Sequence, residues 1–313
     1  MHENDHEFGR RRRGRRRFDD ELNGSDHLGE LTTRSFRPEP ELDPDAPATG
    51  DRWSTWGDTP PTGRGPRPHP DWLVIESAAV DTDLGLLKTG KEADVSLMRR
   101  GVPDTDRSCL LACKQYRLSE HRMFHRDAGY MEGRRMRESR SNRAMSRRTD
   151  FGRELISEQW AGAEFAALSR LWQTSQELGR PVVPYPVQIL GTELLMEFVG
   201  DHATGQGAPR LAQVRPTVDD AKDLWQQAVS AIGLMARCGL AHGDLSAYNV
   251  LVHEGHLVLI DLPQVVDLIA NPYGPKFLYR DVGNLATWFG ARGVPGIDAR
   301  RVTQELLAEA GVH

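Results

Sequence analysis

One stretch of the sequence, AHGDLSAYNVLVHEGHLVLIDLPQ at residues 241–264, sets ionisable side chains among residues that favour strands. Asp244, Asn249 and Asp261 offer carboxylate and amide oxygens, the ligands that a hard divalent cation such as Mg²⁺ prefers. On a loop, the spacing of Asp244 and Asn249 lets one side chain face an acceptor hydroxyl while the other faces the metal. The pattern predicts Asn249 and Asp261 as metal ligands and Asp244 as the residue that orients, or takes the proton from, that hydroxyl. We interpret His242 as structural.

Groups that can contact the phosphates of ATP lie earlier in the chain. A glycine-containing turn, TGKEADV, starts at Thr89, and the apolar strand CLLACKQYR carries Lys114. A lysine on a strand needs an anion to hold it, and Glu164 on the following predicted helix can supply one, with Glu154 and Glu158 on the same stretch as alternatives. The sequence therefore predicts that the turn around Gly90 and the ammonium of Lys114 contact the phosphates.

The predicted elements come in an order that can bring these residues together. A strand, a turn and two further strands precede a helical pattern over residues 154–178, which stops at Gly179. VPYPVQILGTELLMEFVG predicts two strands, and the next helix has Thr217 as its N-cap. NVLVHEGHLVLID predicts a hairpin that turns at Glu254-Gly255, and two helices close the chain. Phosphoryl transfer from ATP uses its parts in this order in kinase-like folds.

Four of these segments resemble motifs of the RIO family of atypical serine/threonine protein kinases, in the bacterial type of its first branch. HGDLSAYN followed by LVLIDLPQ is similar to the catalytic and metal-binding loops, and KTGKEADV is similar to the phosphate loop. ACKQYR resembles the lysine strand, and YRDVGNLATWF resembles the helix after the metal loop. The resemblance runs from about Leu84 to Phe289, and residues 119–150 fall where the family has a flexible loop.

The resemblance implies an α+β, bilobal protein-kinase-like fold with a small β-rich N-lobe and a helical C-lobe. It implies that ATP and Mg²⁺ (or Mn²⁺) bind between the lobes and that serine is phosphorylated, often on the protein itself. The family's metal-loop aspartate can also accept the phosphate. Here that residue would be Asp261, and the enzyme would then run as an ATPase switch.

The resemblance also assigns residues to the nucleotide. The phosphate loop would contact it through a hydroxyl, backbone groups and charges, at Thr89, Gly90, Lys91 and Glu92. LLMEFVG resembles a hinge, with Met196 in the gatekeeper position. The hinge residues whose backbone groups can pair with adenine are Glu197, Phe198 and Val199.

Two positions depart from the family pattern. Gly243 stands between the histidine and the aspartate, where the family usually has alanine. H-G-D is common in aminoglycoside and choline phosphotransferases, whose substrates are small molecules. Lys88 precedes Thr89, where the family's first branch has serine. Two rivals to a protein kinase therefore stay open: a small-molecule phosphotransferase, and a nucleotide-gated ATPase that acts in RNA or ribosome assembly.

Composition divides the chain into three parts. Residues 1–70 are rich in Arg, Pro, Asp and Glu and poor in aliphatic residues, so we expect a disordered N-terminal region. Trp53 and Trp56 are exceptions within it that can dock on the folded part or bind a partner. Residues 71–199 are predicted to form the N-lobe, with a flexible basic insertion at about 119–150, and residues 200–313 the C-lobe.

Charge and cysteine content narrow the classes of protein. A net charge of −5 over 313 residues argues against a nucleic-acid binder as a whole, although the run Arg10–Arg17 can contact RNA or ribosomal phosphates. Three cysteines without metal-type spacing indicate buried thiols in a reducing cytoplasm. No apolar run approaches the roughly 20 residues of a membrane helix. We expect a cytoplasmic protein whose partners are ATP and a protein substrate, which can be the chain itself.

Overall fold

The structure is a computed structural model that describes residues 46–117 and 150–312. The predictions for the arginine run Arg10–Arg17 and for almost all of the basic insertion lie outside the described residues. Within the described ranges, a β-sheet comes first and is followed by a helical part, which confirms the predicted α+β architecture of a sheet-rich N-lobe and a helical C-lobe. No helix of these ranges is long and apolar enough to cross a membrane.

The N-lobe is built on one antiparallel sheet of six strands in the order β1-β2-β3-β4-β6-β5. Alternate residues of its central strand β4, among them Cys109, Leu111 and Cys113, are buried in a core on one face. Lys114 and Ala112 therefore belong to the opposite face, which is the face toward the C-lobe. The six strands are β1 Arg52–Trp53, β2 Val80–Thr89, β3 Ala93–Gly101, β4 Ser108–Tyr116, β5 Pro186–Leu190 and β6 Glu193–Glu197.

The C-lobe has its own apolar core, formed by helices and short hairpins. A long helix, α1, packs on β4, β5 and β6 and connects the two lobes. The four helices of the described residues are α1 Asp150–Ser175, α2 Val218–Arg237, α3 Gly274–Gly290 and α4 Ala299–Glu309. The six short strands are β7 Gly200–Asp201, β8 Gln206–Gly207, β9 Leu240–Ala241, β10 Val250–His253, β11 His256–Leu259 and β12 Val266–Asp267, and they pair as β7-β8, β9-β12 and β10-β11.

Several local predictions are confirmed. The stop at Gly179 is a left-handed residue with φ 71°, where glycine is favoured, and a short 3₁₀ turn at Gln176–Leu178 joins it to α1. The hydroxyl of Thr217 accepts a hydrogen bond from the N–H of Asp220, so Thr217 caps α2 as predicted. The hairpin β10-β11 turns at Glu254-Gly255. All three cysteines are buried and free.

The prediction of disorder up to residue 70 is wrong for residues 46–70. This segment adds β1 to the edge of the sheet and continues through a 3₁₀ turn at Pro61–Gly63. Trp56 is buried in the core behind the sheet, together with Leu73 and Val74. Composition indicated disorder because proline breaks regular structure, but a chain without helices can still be held by docked aromatic residues and by strand pairing. Of the two tryptophans, Trp56 docks and Trp53 stays 47% exposed.

A buried ion pair ties this segment to the sheet. The guanidinium of Arg100, which is fully buried, donates to both carboxylate oxygens of Asp81, at 2.7 and 3.0 Å. A third N–H of Arg100 donates to the Gln188 side chain at 2.9 Å. Gln188 in turn donates to Thr55 and Thr59 of the N-terminal segment, at 2.8 and 3.0 Å. Since every partner is buried or nearly so, the loss of one leaves a charge without compensation.

We therefore predict that Asp81→Asn lowers the free energy of unfolding by about 3–5 kcal/mol, because it leaves the Arg100 guanidinium buried without a counter-charge. Urea unfolding followed by circular dichroism measures the effect. Asp94→Asn is the matched control, since the Asp94–Arg117 pair lies at the surface of the same sheet and contributes little there. Equal stability of the two variants would contradict a structural role for the buried pair.

Candidate active site

Lys114 lies at the joint between the lobes and touches two carboxylates. Its ammonium is 2.9 Å from Oε1 of Glu164 on α1 and 2.8 Å from Oδ1 of Asp261, which follows β11. Burial alone lowers the pKa of a lysine, but the charges of Glu164 and Asp261 outweigh burial and raise the pKa of Lys114 above its ordinary value. The lysine is therefore held in place in its charged form. This agrees with the prediction that an anion on the following helix holds it.

Glu164 is fixed by more than the lysine. One of its oxygens also accepts the backbone N–H of Leu262 at 2.9 Å, and the other accepts the hydroxyl of Tyr116 in a short contact. The alternative partner Glu158 on the same helix is exposed. Sequence reasoning missed Tyr116, although it lies two residues after Lys114 and so points to the same face of β4. This spacing was the available signal.

Asp261 offers one carboxylate oxygen to a further ligand. Its Oδ1 accepts from Lys114, while Oδ2 has no hydrogen-bond partner among residues 46–117 and 150–312, and the side chain is 36% exposed. Burial would raise the pKa of Asp261, but Lys114 and Lys88 outweigh it and the pKa is lowered, so the carboxylate is ionised. The residue has a left-handed backbone with φ 68°, which turns the chain sharply after the strand.

These residues fit a magnesium ion. Asn249 donates through Nδ2 to the carbonyl of Asp244 at 2.9 Å, which leaves its Oδ1 for another ligand. Within the described ranges no three His, Cys, Asp or Glu side chains form a metal cluster. Mg²⁺ is commonly held by one or two protein oxygens together with phosphate and water, so the pair Asn249 and Asp261 suits a metal that arrives with a nucleotide.

The loop that carries Asp244 is held from beneath by Asp281. This buried carboxylate on α3 accepts the backbone N–H groups of Gly243 and Leu245, at 2.9 and 3.0 Å, one on each side of Asp244. Asp244 itself is exposed, so its carboxylate is accessible. Sequence reasoning quoted the segment YRDVGNLATWF but gave Asp281 no role; an aspartate on the apolar face of a helix was the signal that could have found it.

The contacts of His242 agree with the structural role predicted for it. It is buried, and its Nε2 donates to the carbonyl of Ile260 at 3.1 Å, one residue before Asp261. The hydrogen bond links the loop of Asp244 to the loop of Asp261. The two loops also approach at Gly243: a Cβ placed there would lie 2.3 Å from the carbonyl oxygen of Gln264, and φ is 82°. Close packing therefore explains the glycine at position 243, whatever kind of molecule accepts the phosphate.

The turn between β2 and β3 carries the predicted phosphate loop. The N–H of Gly90 donates to the carbonyl of Ala93 at 2.9 Å, which closes the turn. Thr89 and Lys91 are exposed beside it. Glu92 reaches toward the C-lobe, where the Gln264 side chain donates to it at 3.4 Å. Burial raises the pKa of Glu92 to about 7, and the nearby carboxylate of Asp261 adds to the shift.

Fewer backbone groups of the hinge are free to pair with adenine than its sequence suggested. Met196 pairs with Ala112 in the sheet and is buried at the joint, as a gatekeeper would be. The N–H of Glu197 donates to Tyr185, and the carbonyl of Val199 accepts from Ala208. Since the Phe198 carbonyl accepts from His202, the N–H of Val199, which has no partner in the described part of the chain, is the hinge group most available to adenine.

Comparisons with known proteins agree with the order of the motifs. A model of the RIO domain matches residues 106–302. RIO-type serine/threonine-protein kinase Rio1 of Haloferax volcanii is 33% identical over 223 residues, which cover 71% of this chain and 68% of the relative. Serine/threonine-protein kinase RIO1 of Chaetomium thermophilum is 33% identical over 160 residues, or 49% of this chain and 30% of the relative. This chain therefore matches less than a third of the fungal protein's length.

A solved structure is also similar. The crystal structure of the Rio2 kinase–ADP/Mg²⁺–phosphoaspartate complex from Chaetomium thermophilum has a TM-score of 0.48 and 21% sequence identity. The similarity covers 73% of this chain and 65% of that chain.

The geometry at Gly243 gives a prediction. Gly243→Ala should weaken both folding and nucleotide binding, because the added methyl group meets the Gln264 carbonyl and the left-handed backbone alone costs about 1–2 kcal/mol. Urea unfolding and ATP titration measure the two effects. Gly283→Ala is the control, since a Cβ at that position in α3 meets nothing within 4 Å and alanine favours helix. A Gly243→Ala protein as stable and as competent as the unmodified chain would refute the close approach.

Proposed function

Because the chain belongs to the RIO family of serine/threonine protein kinases, we propose that it transfers the terminal phosphate of ATP to a protein hydroxyl, including a hydroxyl of its own chain. The observation that carries the proposal is the buried Lys114, held by Glu164 from one side and by Asp261 from the other. Such an arrangement keeps a positive charge at a defined point of the cleft, where the phosphates of a nucleotide need it.

In this proposal each residue has one task. Lys114 and the backbone N–H groups of the turn other than that of Gly90, which is bonded to Ala93, hold the phosphates in line with the acceptor. Asn249 and Asp261 hold Mg²⁺ (or Mn²⁺), which when bound neutralises charge on the phosphates. Asp244 is exposed on a loop whose backbone is pinned on both sides, so its carboxylate can orient the acceptor hydroxyl and take its proton.

Adenine is proposed to lie beside the hinge, next to Met196 on the cleft face of the sheet. The free N–H of Val199 supports a hydrogen bond to the base. The carbonyl of Glu197 is the second candidate, whereas the carbonyl of Phe198 and the N–H of Glu197 are engaged within the protein.

A second acceptor is Asp261 itself. Its Oδ2 is without a partner in the described residues, which supports attack on the terminal phosphate of ATP. The bond to the β-phosphate would break, ADP would leave, and water would then hydrolyse the acyl phosphate to restore the carboxylate and release phosphate. The enzyme would then be an ATPase switch.

Action in RNA or ribosome assembly through Arg10–Arg17 stays a prediction, because those residues lie outside the described ranges. Three free thiols support a cytoplasmic location.

We predict that γ-labelled ATP with Mg²⁺ labels the purified protein in an acid-stable form. Asp244→Ala should reduce that label on the order of 10²–10⁴-fold, since it removes the group that serves the hydroxyl. Autoradiography of protein and measurement of released phosphate separate the reactions, and Asp223→Ala on the exposed side of α2 is the control.

The alternatives give different results in the same experiment. Acid-labile label that disappears in Asp261→Ala, together with released phosphate, would favour the ATPase switch. Neither label nor released phosphate, with ATP still bound, would overturn transfer to protein and would favour a small-molecule acceptor.

A further inference from the structure

A second lysine faces the same cleft as Lys114. Lys88 on β2 stands opposite Val95 on β3, and Val95 stands opposite Lys114 on β4. Residues directly opposite in an antiparallel sheet point to the same face, so Lys88 and Lys114 share the face that looks toward the C-lobe. Two strand spacings, about 10 Å, separate them. They can therefore flank a chain of phosphates from two sides.

Lys88 reaches this face because the strand is irregular just before it. The pairing of β2 with β3 shifts between Leu86 and Lys88, and an extra residue is accommodated there. A bulge of this kind moves every later side chain to the other face of the strand. Without the extra residue, Leu87 would lie opposite Val95 and Lys88 opposite Asp94, so Lys88 would point to the other face of the sheet, away from Lys114.

The charged groups around Lys88 belong to both lobes. Loss of solvent at the cleft lowers the pKa of Lys88, the guanidinium of Arg210 lowers it further, and the carboxylates of Asp261 and Glu92 oppose the change. Arg210 lies on the C-lobe side, where its guanidinium donates to the carbonyl of Tyr248 in the loop of Asp244. Lys88 and Arg210 are thus two like charges that approach each other across the opening of the cleft.

Lys88, like Arg99 on β3, has no ion pair with any residue in the described ranges, whereas other basic residues of the sheet do. Arg52 is paired with Glu193, Arg100 with Asp81, and Arg117 with Asp94. Lys88 and Arg210 repel each other, and Asp261 and Glu92 attract Lys88 without forming an ion pair with it. An anion placed between the two cations would relieve the repulsion.

We propose that Lys88 is a specificity-determining residue that binds the terminal phosphates of a nucleoside triphosphate, opposite Arg210. The inference rests on the proposed function and deepens it. AMP has one phosphate, which joins the ribose near the hinge, whereas the second and third phosphates of ATP extend toward the turn at Gly90. Lys88 lies two residues before that turn, so it contacts the part of ATP that AMP lacks.

The test is the affinity of ATP, ADP and AMP, measured by titration calorimetry with Mg²⁺ on the full chain. Lys88→Ser should weaken ATP binding on the order of tenfold, because one charge-assisted hydrogen bond to phosphate is lost. It should leave AMP binding unchanged, which also reports that the protein is folded. ADP should fall between them, and Lys88→Arg should retain ATP binding because the charge remains.

A matched control removes a lysine from the surface. Lys222→Ser on α2 makes the same exchange at a residue paired only with Asp219, and should leave all three affinities unchanged. The dependence of ATP affinity on salt should also become shallower in Lys88→Ser and not in Lys222→Ser.

Two results would overturn the inference while leaving the proposed function intact. Either ATP affinity is the same in Lys88→Ser as in the unmodified protein, or ATP and AMP affinities fall by the same factor, which would indicate a general change in the loop. Failure of the unmodified protein to bind ATP at all is a third and distinct result, and it would overturn the proposed function together with this inference.

Discussion

The structure depends on one buried ammonium that two carboxylates share. Lys114 comes from the sheet, Glu164 from the helix behind it, and Asp261 from a loop of the C-lobe. A buried charge is stable only while its partners stay in place, so each of the three elements fixes the position of the other two. The ion pairs thereby connect the lobes at the point where the phosphates of a nucleotide are proposed to bind.

Two buried carboxylates, Glu164 and Asp281, position the loops of this cleft by the same means. Glu164 accepts the N–H of Leu262, next to Asp261, and Asp281 accepts the N–H groups on both sides of Asp244. Each carboxylate lies on a helix that is packed in a core. Because the helix is held in place, its hydrogen bonds also fix the backbone of the loop. Asp244 and Asp261 then remain exposed enough for chemistry while the backbone beside them is fixed.

The sequence predicted the lobe order, the stop at Gly179, the cap of α2 at Thr217, and the meeting of Lys114 with Glu164, because these follow from periodicity, caps and motif spacing. It did not predict the roles of Tyr116 and Asp281. Their partners are a carboxylate on another element and backbone N–H groups, and no local pattern encodes such contacts. Order in residues 46–70 was missed for a related reason: the segment is held by Trp56 in a distant core, not by its own propensities.

The charges of the cleft are divided between the lobes. This division explains why the phosphate loop responds to the charge of a nucleotide. Asp244 and Asp261 belong to the C-lobe, whereas Lys88 and Lys114 belong to the sheet. Glu92 is the exception on the sheet side, and burial beside Asp261 raises its pKa to about 7. At neutral pH its proton is therefore easily gained or lost, and its negative charge would compete with phosphate for the same lysines. A triphosphate that enters the cleft must displace Glu92 from Gln264 or favour the protonation of Glu92. The turn proposed to bind the nucleotide is therefore also the turn on which the charge of the triphosphate acts most strongly.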